Sequence, residues 1–574
     1  MTAHFLTSAA AAILFASTAS AQVIYADANL TTGANDGSSW ANAFQGTGAV
    51  QDALNIVAAG EDIYAADGLY ITSTTTGERA LSFRLRTGVT LFGGFAGGEA
   101  SPDERPPFGT AVSILSADQQ NDDSSGGTTA DNSYHVVRAQ NTDETAVLDG
   151  FTCTGGNANV TAGNNNDRGG GIICLNGQSP TIRNCVFIGN SCVFGGGAGY
   201  VNNAAPRFEN CSFIDNQGGA FGGAFDIAGG NNTAFDGCYF EGNEASRAGA
   251  LEIFMTNNAS VANSVFIGNR ATGTAGGGAF WLGSGGSTSI TNCTIVGNFA
   301  SSQNQGGIRN QGAVVTAMNC ILWGNQGPNG AQAAINQANA TANLNYSIVE
   351  GGFVGTGTGN LATDPNFMDL AGGDLRLALP SPAVDAGNGN AVPAGSIGDF
   401  AGARRIVDEP GTANSGLGDP VDIGAFEFTT NIGAIFCNPV NINSTGVSSR
   451  LDAQGSTSVA ANDLTLSASQ LPLNVFGFMI ASRDRGFVAN PAGSAGNLCL
   501  SGSIGRYVGP GQIQSTGATG GFSLTIDTTA IAQPTGSVPA EAGTSWSFQA
   551  WHRDTVGGTP TSNFTDGVRI TFDS

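Results

Sequence analysis

Asp226 and Glu252 stand 26 residues apart, with Tyr200 and Trp281 at 26 and 29 residues beyond them, in the phrases GGGAGYV, GGAFDI, AGALEI and GGGAFWL. On successive turns of a structure with that period, the four side chains form one column about 5 Å apart. Two carboxylates at that spacing suit flanking a glycosidic bond, sharing Ca2+ or bonding sugar hydroxyls. Aromatic rings beside them suit stacking on pyranose faces. Arg247 and Arg309 lie nearby in sequence. Asp226 and Glu252 are therefore the candidates for catalysis or Ca2+, and Tyr200, Trp281, Arg247 and Arg309 those for glycan binding. The plainer reading is that the two acids solvate an exposed strand. Against it, like charges on directly opposite strand positions repel.

The elements that must position this column are written in a repeat. NCVFIGN at 184–190 returns as NCSFIDN, GCYFEGN, NSVFIGN, NCTIVGN and NCILWGN. With Cys185 as phase marker, the position recurs at Cys211, Cys238, Ser264, Cys293, Cys320 and Tyr346, at intervals of 26, 27, 26, 29, 27 and 26. A fixed period of this size signals a solenoid, one coil per repeat. An apolar column follows two residues on (Phe187, Phe213, Phe240, Phe266, Ile295, Leu322, Ile348), and another precedes the marker by three (Ile182, Phe208, Phe235, Val261, Ile290). Asn190, Asn216, Asn243, Asn269, Asn298 and Asn325 stand at a Gly-Asn corner, a turn signal. Short inward-facing strands with such corners predict a parallel β-helix. The marker column predicts free, stacked thiols, because parallel Cβ vectors one coil apart do not suit disulfides.

The Gly-Gly phrases have the same period, with phase glycines at 171, 197, 223, 249, 278 and 307. Strand alternation then places Leu175, Val201, Ile227, Ile253 and Leu282 inside, with Ile173, Phe225, Leu251 and Phe280. The outward column between them reads Cys174, Tyr200, Asp226, Glu252, Trp281, Asn310, on a face expected to be exposed.

The pairing of Gly-Gly-Ala with Phe-x-x-Asn (GGAF at 222–225, FIGN at 187–190 and 266–269, FIDN at 213–216) resembles the repeat of polymorphic outer-membrane proteins. It also resembles the wider right-handed parallel β-helix, or pectin-lyase-like, superfamily, over roughly residues 60 to 350. SFRLRTGVTLFGGFAGGE and DNSYHVVRA are similar to openings of exported bacterial β-helix proteins. DPNFMDLAGGDLRLALPSPAVDAGNGN with VDIGAFEF resembles their closing coils, of a choice-of-anchor type. The resemblance implies a fold and leaves the function open. Unlike the outer-membrane proteins, this chain has only about 145 residues after Phe428, too few for a large translocating barrel.

Composition narrows the classes. The 574 residues include 87 Gly, 11 % are charged, the formal net charge is −24, and all 20 basic residues are Arg. An acidic balance of this size excludes the basic footprint that nucleic acid or an anionic membrane needs. Residues 1–21 read as a secretory signal ending in Ala19-Ser20-Ala21, and no later stretch has the ~18 apolar residues that span a bilayer. The predicted organisation is a signal at 1–21, an N-terminal cap and early coils at 22–145, with a short amphipathic helix around Val50–Ala58, and regular repeats at 146–350. Closing coils and linker follow at 351–431, then a β-sandwich at 432–574. Cys437 and Cys499, the sandwich's two cysteines in an exported chain, are expected to be bonded. His135 and His552 fall in different domains, so neither a zinc site nor a His-based triad is expected.

The fold class expected is thus all-β: a right-handed parallel β-helix followed by a small sandwich. Two functions compete. One is an exported, non-catalytic protein of the cell surface or extracellular space, adhesive or structural, whose partner is a polysaccharide or cell-surface component. The other is a polysaccharide lyase or glycoside hydrolase. Lyases of the pectin-lyase-like group use a basic proton abstractor, which without Lys leaves Arg247 or Arg309, and its hydrolases use clustered Asp residues. No cofactor is required by the first; Ca2+ is the one the carboxylate pair suits.

Overall fold

The computed structural model describes residues 22–574 except 107–108, 162, 275, 284, 303–305, 329, 332–334, 338–340, 397 and 438–440. The signal reading for residues 1–21 lies outside the described residues. The chain forms a right-handed parallel β-helix followed by a small β-sandwich. Each coil crosses three long parallel sheets in turn: sheet C of nine strands, sheet A of twelve and sheet B of ten. One representative coil contributes Ile172–Leu175, Thr181–Arg183 and Val186–Ile188. The helix Ala49–Ile56 buries Ala49, Val50, Ala53 and Leu54 against the start of the stack, covering strand edges that would otherwise pair with other chains.

The repeated phrase builds two corners and the strand between them. Its first residue adopts left-handed backbone in every coil: Asn184, Asn210, Gly237, Asn263, Asn292, Asn319 and Tyr346 have φ between 47° and 63°. Its penultimate residue does the same at φ between 51° and 64° (Gly189, Asp215, Gly242, Gly268, Gly297, Gly324). Gly and Asn or Asp are the residues that tolerate this conformation. Between the corners, Phe187, Phe213, Phe240 and Phe266 are fully buried, and their rings stack at 5.5, 4.8 and 4.4 Å between centroids. The eight cysteines of the β-helix are free and buried. At the top of the stack Leu322 pairs with Val349 and Cys320 N–H donates to Ser347 Oγ. The last coil is therefore one residue out of the expected phase, with Tyr346 at the corner and Val349, not Ile348, in the core column.

The phrase's last residue makes the strongest polar feature. Asn190, Asn216, Asn243, Asn269 and Asn298 each donate Nδ2–H to Oδ1 of the next asparagine in the row at 2.9–3.1 Å, ending on Asn325. Each of the five also gives its backbone N–H to the same Oδ1 at 3.0–3.1 Å. The row is buried and fully satisfied, as a buried polar row must be.

The segment 351–431 departs from the expected closing coils. Two parallel bridges, Asn343 to Thr356 and Ile348 to Leu361, continue the stack. The chain then forms an antiparallel hairpin, Phe367–Asp369 with Asp374–Leu377, and runs back along the outer face of sheet B. Leu375 and Ala425 pack on Val265 and Val296, and Leu377, Ala383, Val384 and Ile423 pack on Ile321 and Ile348. Val265, Val296, Ile321 and Ile348 are apolar outward residues of sheet B, so this part of the face needs cover. Arg405 is fully buried in the segment and donates to the carbonyls of Asp422 and Gly424.

In the sandwich, a six-stranded and a three-stranded antiparallel sheet enclose Leu466, Met479, Trp546, Phe548 and Ile570. Cys437 and Cys499 are bonded, as the sequence predicts. His135 and His552 are both buried, with ring nitrogens on Gly169 O and Ser449 Oγ respectively.

Candidate functional site

The strands of sheet C bring the predicted column together in register: Tyr200, Asp226, Glu252, Trp281 and Arg309 are successive partners. The two ends of the column are corrected by one residue. Ile173 pairs with Tyr200, and Cys174 pairs with Val201. Asn310 pairs with Leu282. Cys174 and Asn310 are therefore core residues, while Ile173 and Arg309 face outward and Leu175 is not in the Val201 column.

The larger correction concerns exposure. Tyr200 is 5 % exposed, Asp226 3 %, Glu252 2 % and Trp281 6 %, so the column is not an open platform. The cover comes from the corner that precedes each sheet C strand. Arg168 donates from Nη1 to Asp226 Oδ2 at 2.8 Å, and its guanidinium lies 4.0 Å from the Phe194 ring centre and 4.7 Å from that of Tyr200. Arg247 grips Glu252 with both ends of its fork, Nε to Oε2 at 2.9 Å and Nη2 to Oε1. It lies 4.1 Å from the Phe221 ring centre and 4.0 Å from that of Trp281. Phe194 and Phe221 meet edge to face at 4.8 Å, closing the roof. Gly195 allows the arrangement, because a Cβ there would fall 2.2 Å from Asp226 Oδ2.

Electrostatics follow from this enclosure. Burial and then the neighbouring Glu252 carboxylate push the Asp226 carboxyl up to about 7, against the pull of Arg168 and Arg247. Burial also raises Glu252, opposed by its bond to Arg247. Each carboxylate already has a guanidinium partner, so the cation that would relieve their mutual repulsion is supplied by the chain itself. Cation–π contact adds about 0.5–2 kcal/mol per desolvated pair. Arg309, half-buried beside Trp281, has its pKa lowered by burial. Arg168, Phe194 and Phe221 escaped the sequence analysis. Phe221 and Arg247 stand two residues before the in-phase glycines 223 and 249, whereas Arg168 and Phe194 stand three before 171 and 197, so no single repeat position marks the four.

Beside this roofed column lies an open groove of about 770 Å³, at the corner between sheets C and A. Asn202, Asn203, Asn231 and Asn257 line it with Phe254 and Met255. Met255 is 57 % exposed and has left-handed backbone at φ 54°, a conformation that costs a non-glycine residue roughly 1–3 kcal/mol. Asn203 donates to Asn202 Oδ1 at 3.1 Å, and Asn202 donates to the Tyr200 hydroxyl at 3.0 Å, so the groove wall is tied to the column. Among the described residues the lining holds amide donors and acceptors, an apolar strip and no charged side chain.

No helix among the described residues is long and apolar enough to cross a membrane. No curated protein matches the chain. Residues 170–355, which carry both the roofed column and the groove, match the family described as Right handed beta helix region.

Proposed function

We propose that this chain is an exported, non-catalytic β-helix protein of the cell surface or extracellular space, and that it binds uncharged glycan along the asparagine-lined groove. The observation that carries the reading is the contrast of the two sites. The column with the adjacent Asp226 and Glu252 carboxylates is roofed by Arg168 and Arg247, with Phe194 and Phe221. The open surface beside it offers amides next to Phe254 and Met255, the mixture of apolar strip and few polar groups typical of a ligand site. A net charge of −24 disfavours polyanions on the same surface. The test is a panel of neutral and acidic polysaccharides against the purified protein, reading binding and release of unsaturated or reducing ends. Neutral glycan should bind without product release. Phe254→Ala with Met255→Ala should weaken that binding at least tenfold with the fold retained; unchanged binding in the double variant removes the groove.

The competing enzyme reading draws on one observation, the Asp226 carboxyl pushed up to about 7 beside Glu252, where a general acid works near neutral pH. If the panel releases product, Glu252→Gln should abolish release while binding persists.

A further inference from the structure

Another acidic group lies in the loop 117–133 that links strand Ser113–Ser116 of sheet B to strand Val137–Ala139 of sheet C. Asp118, Asp122 and Asp123 present carboxylate oxygens that all lie within 4.8 Å of one another. Asp118 is 5 % exposed. It accepts the Asp123 N–H on Oδ2 at 3.1 Å, and it shares the Gln120 N–H with Asp131, at 3.2 and 3.1 Å. A fourth carboxylate is thus held against the first. Asp131 is itself 6 % exposed.

An acidic cluster alone would be a solvated turn. The independent observation is Asn132, 1 % exposed, whose amide abuts the group by donating Nδ2–H to Asp123 Oδ2 at 2.7 Å. Its Oδ1 is buried and accepts no hydrogen bond among the described residues, and the same holds for Asp131 Oδ1, Asp122 Oδ1 and Asp123 Oδ1. Among the described residues no Arg forms an ion pair with any of the four acids. Buried acceptors without donors and carboxylates without counter-charge are each costly, and here they share one loop.

We propose that this loop is a Ca2+ site, with Asp118, Asp122 and Asp123 as its carboxylate core and Asp131 and Asn132 supplying further oxygens. The donor set is hard oxygen with several carboxylates and no nitrogen or sulfur, which suits Ca2+. Mg2+ retains most of its waters and gains less from such a cage. Bound Ca2+ would fix the loop between two sheets near the start of the stack.

The experiment uses the purified chain freed of metal with chelator, then titrated with CaCl2 and with MgCl2 by calorimetry and followed by thermal melting. One equivalent of Ca2+ should bind, with a rise in Tm that Mg2+ does not reproduce. Asp118→Asn and, separately, the half-buried Asp123→Asn should each weaken Ca2+ binding at least tenfold. Asp226→Asn should leave it unchanged. No Ca2+ binding, binding unaltered in Asp123→Asn, or binding lost in Asp226→Asn would overturn the proposal. If Asp118→Asn does not fold, Asp123→Asn alone decides.

Discussion

Two rows of side chains climb the same β-helix by opposite rules. The asparagine row from Asn190 to Asn325 repeats one residue, and each amide bonds the next. The sheet C column changes residue at every coil, Tyr200, Asp226, Glu252, Trp281 and Arg309, and is held by partners from the preceding corners. An amide is donor and acceptor at once, so identical copies satisfy one another without end. A carboxylate only accepts, so two adjacent copies repel and each needs its own cation. Identical residues along a stack are thus a device of shape. Unlike residues mean that each coil has been balanced locally, and those local balances are where specific chemistry can arise.

The deepest cut into this contrast is Asn243→Ala. It removes the bonds to Phe213 O and Asn269 Oδ1 and takes away the acceptor of Asn216. At about 1–3 kcal/mol for each buried group left unpaired, the loss should reach roughly 3–5 kcal/mol in chemical denaturation. A loss below about 1 kcal/mol would show that the row is decoration.

Arg247→Met should come next, at about 2–4 kcal/mol, since it strands the buried Glu252 charge. Adding Glu252→Met should restore most of that stability by replacing the pair with apolar contact. Failure to recover would mean that the pair itself, rather than relief of a lone charge, holds the roof.

A smaller effect distinguishes the rows by pH. The Asp226 carboxyl titrates near 7 when folded against an ordinary 3.8, so between those values the folded state binds more protons than the unfolded one. Stability from this group is therefore lost as pH rises from about 4 to about 7. Asp422, pushed to about 7, and Asp399, to about 6, act with the same sign. Melting curves across that range should fall with pH, and Asp226→Asn should flatten the slope; the asparagine row contributes none of it. The smallest change is Tyr200→Phe, which deletes the acceptor of Asn202 and should cost about 1 kcal/mol. A larger loss would tie the groove wall to the roof more tightly than one hydrogen bond does.

Much of the fold was legible because β-helix coils repeat their constraints. Left-handed corners demand Gly or Asn, core strands demand Phe or Ile, and a 26–29-residue period aligns them. Phase failed where the marker is degenerate. In GGGIICL three successive glycines are equally good corners, and the strand begins one residue earlier than the 171 marker implies. Exposure of the column failed for another reason. Outward direction follows from alternation within a strand, but cover depends on a neighbouring corner folding over it, and Arg168 and Phe194 precede their strands by several residues. The return of 362–431 over sheet B left no periodic trace at all. Its one sign was the apolar character of Val265, Val296, Ile321 and Ile348 on a face that alternation sends outward.

That return has a mechanical meaning. A solenoid whose coils touch only their neighbours unzips from an end, each coil leaving at the cost of one interface. Here the segment after Leu361 lies across the coils of Val265, Val296, Ile321 and Ile348 and hooks Asn263 and Asn319 through Ser396 and Asn388. At its far end Arg404 is locked to Asp452 and Asp566 of the sandwich. Tension applied through the C-terminal sandwich would therefore load several coils in parallel rather than peel the last one. The strap converts a stack that frays into a rod that yields as a block.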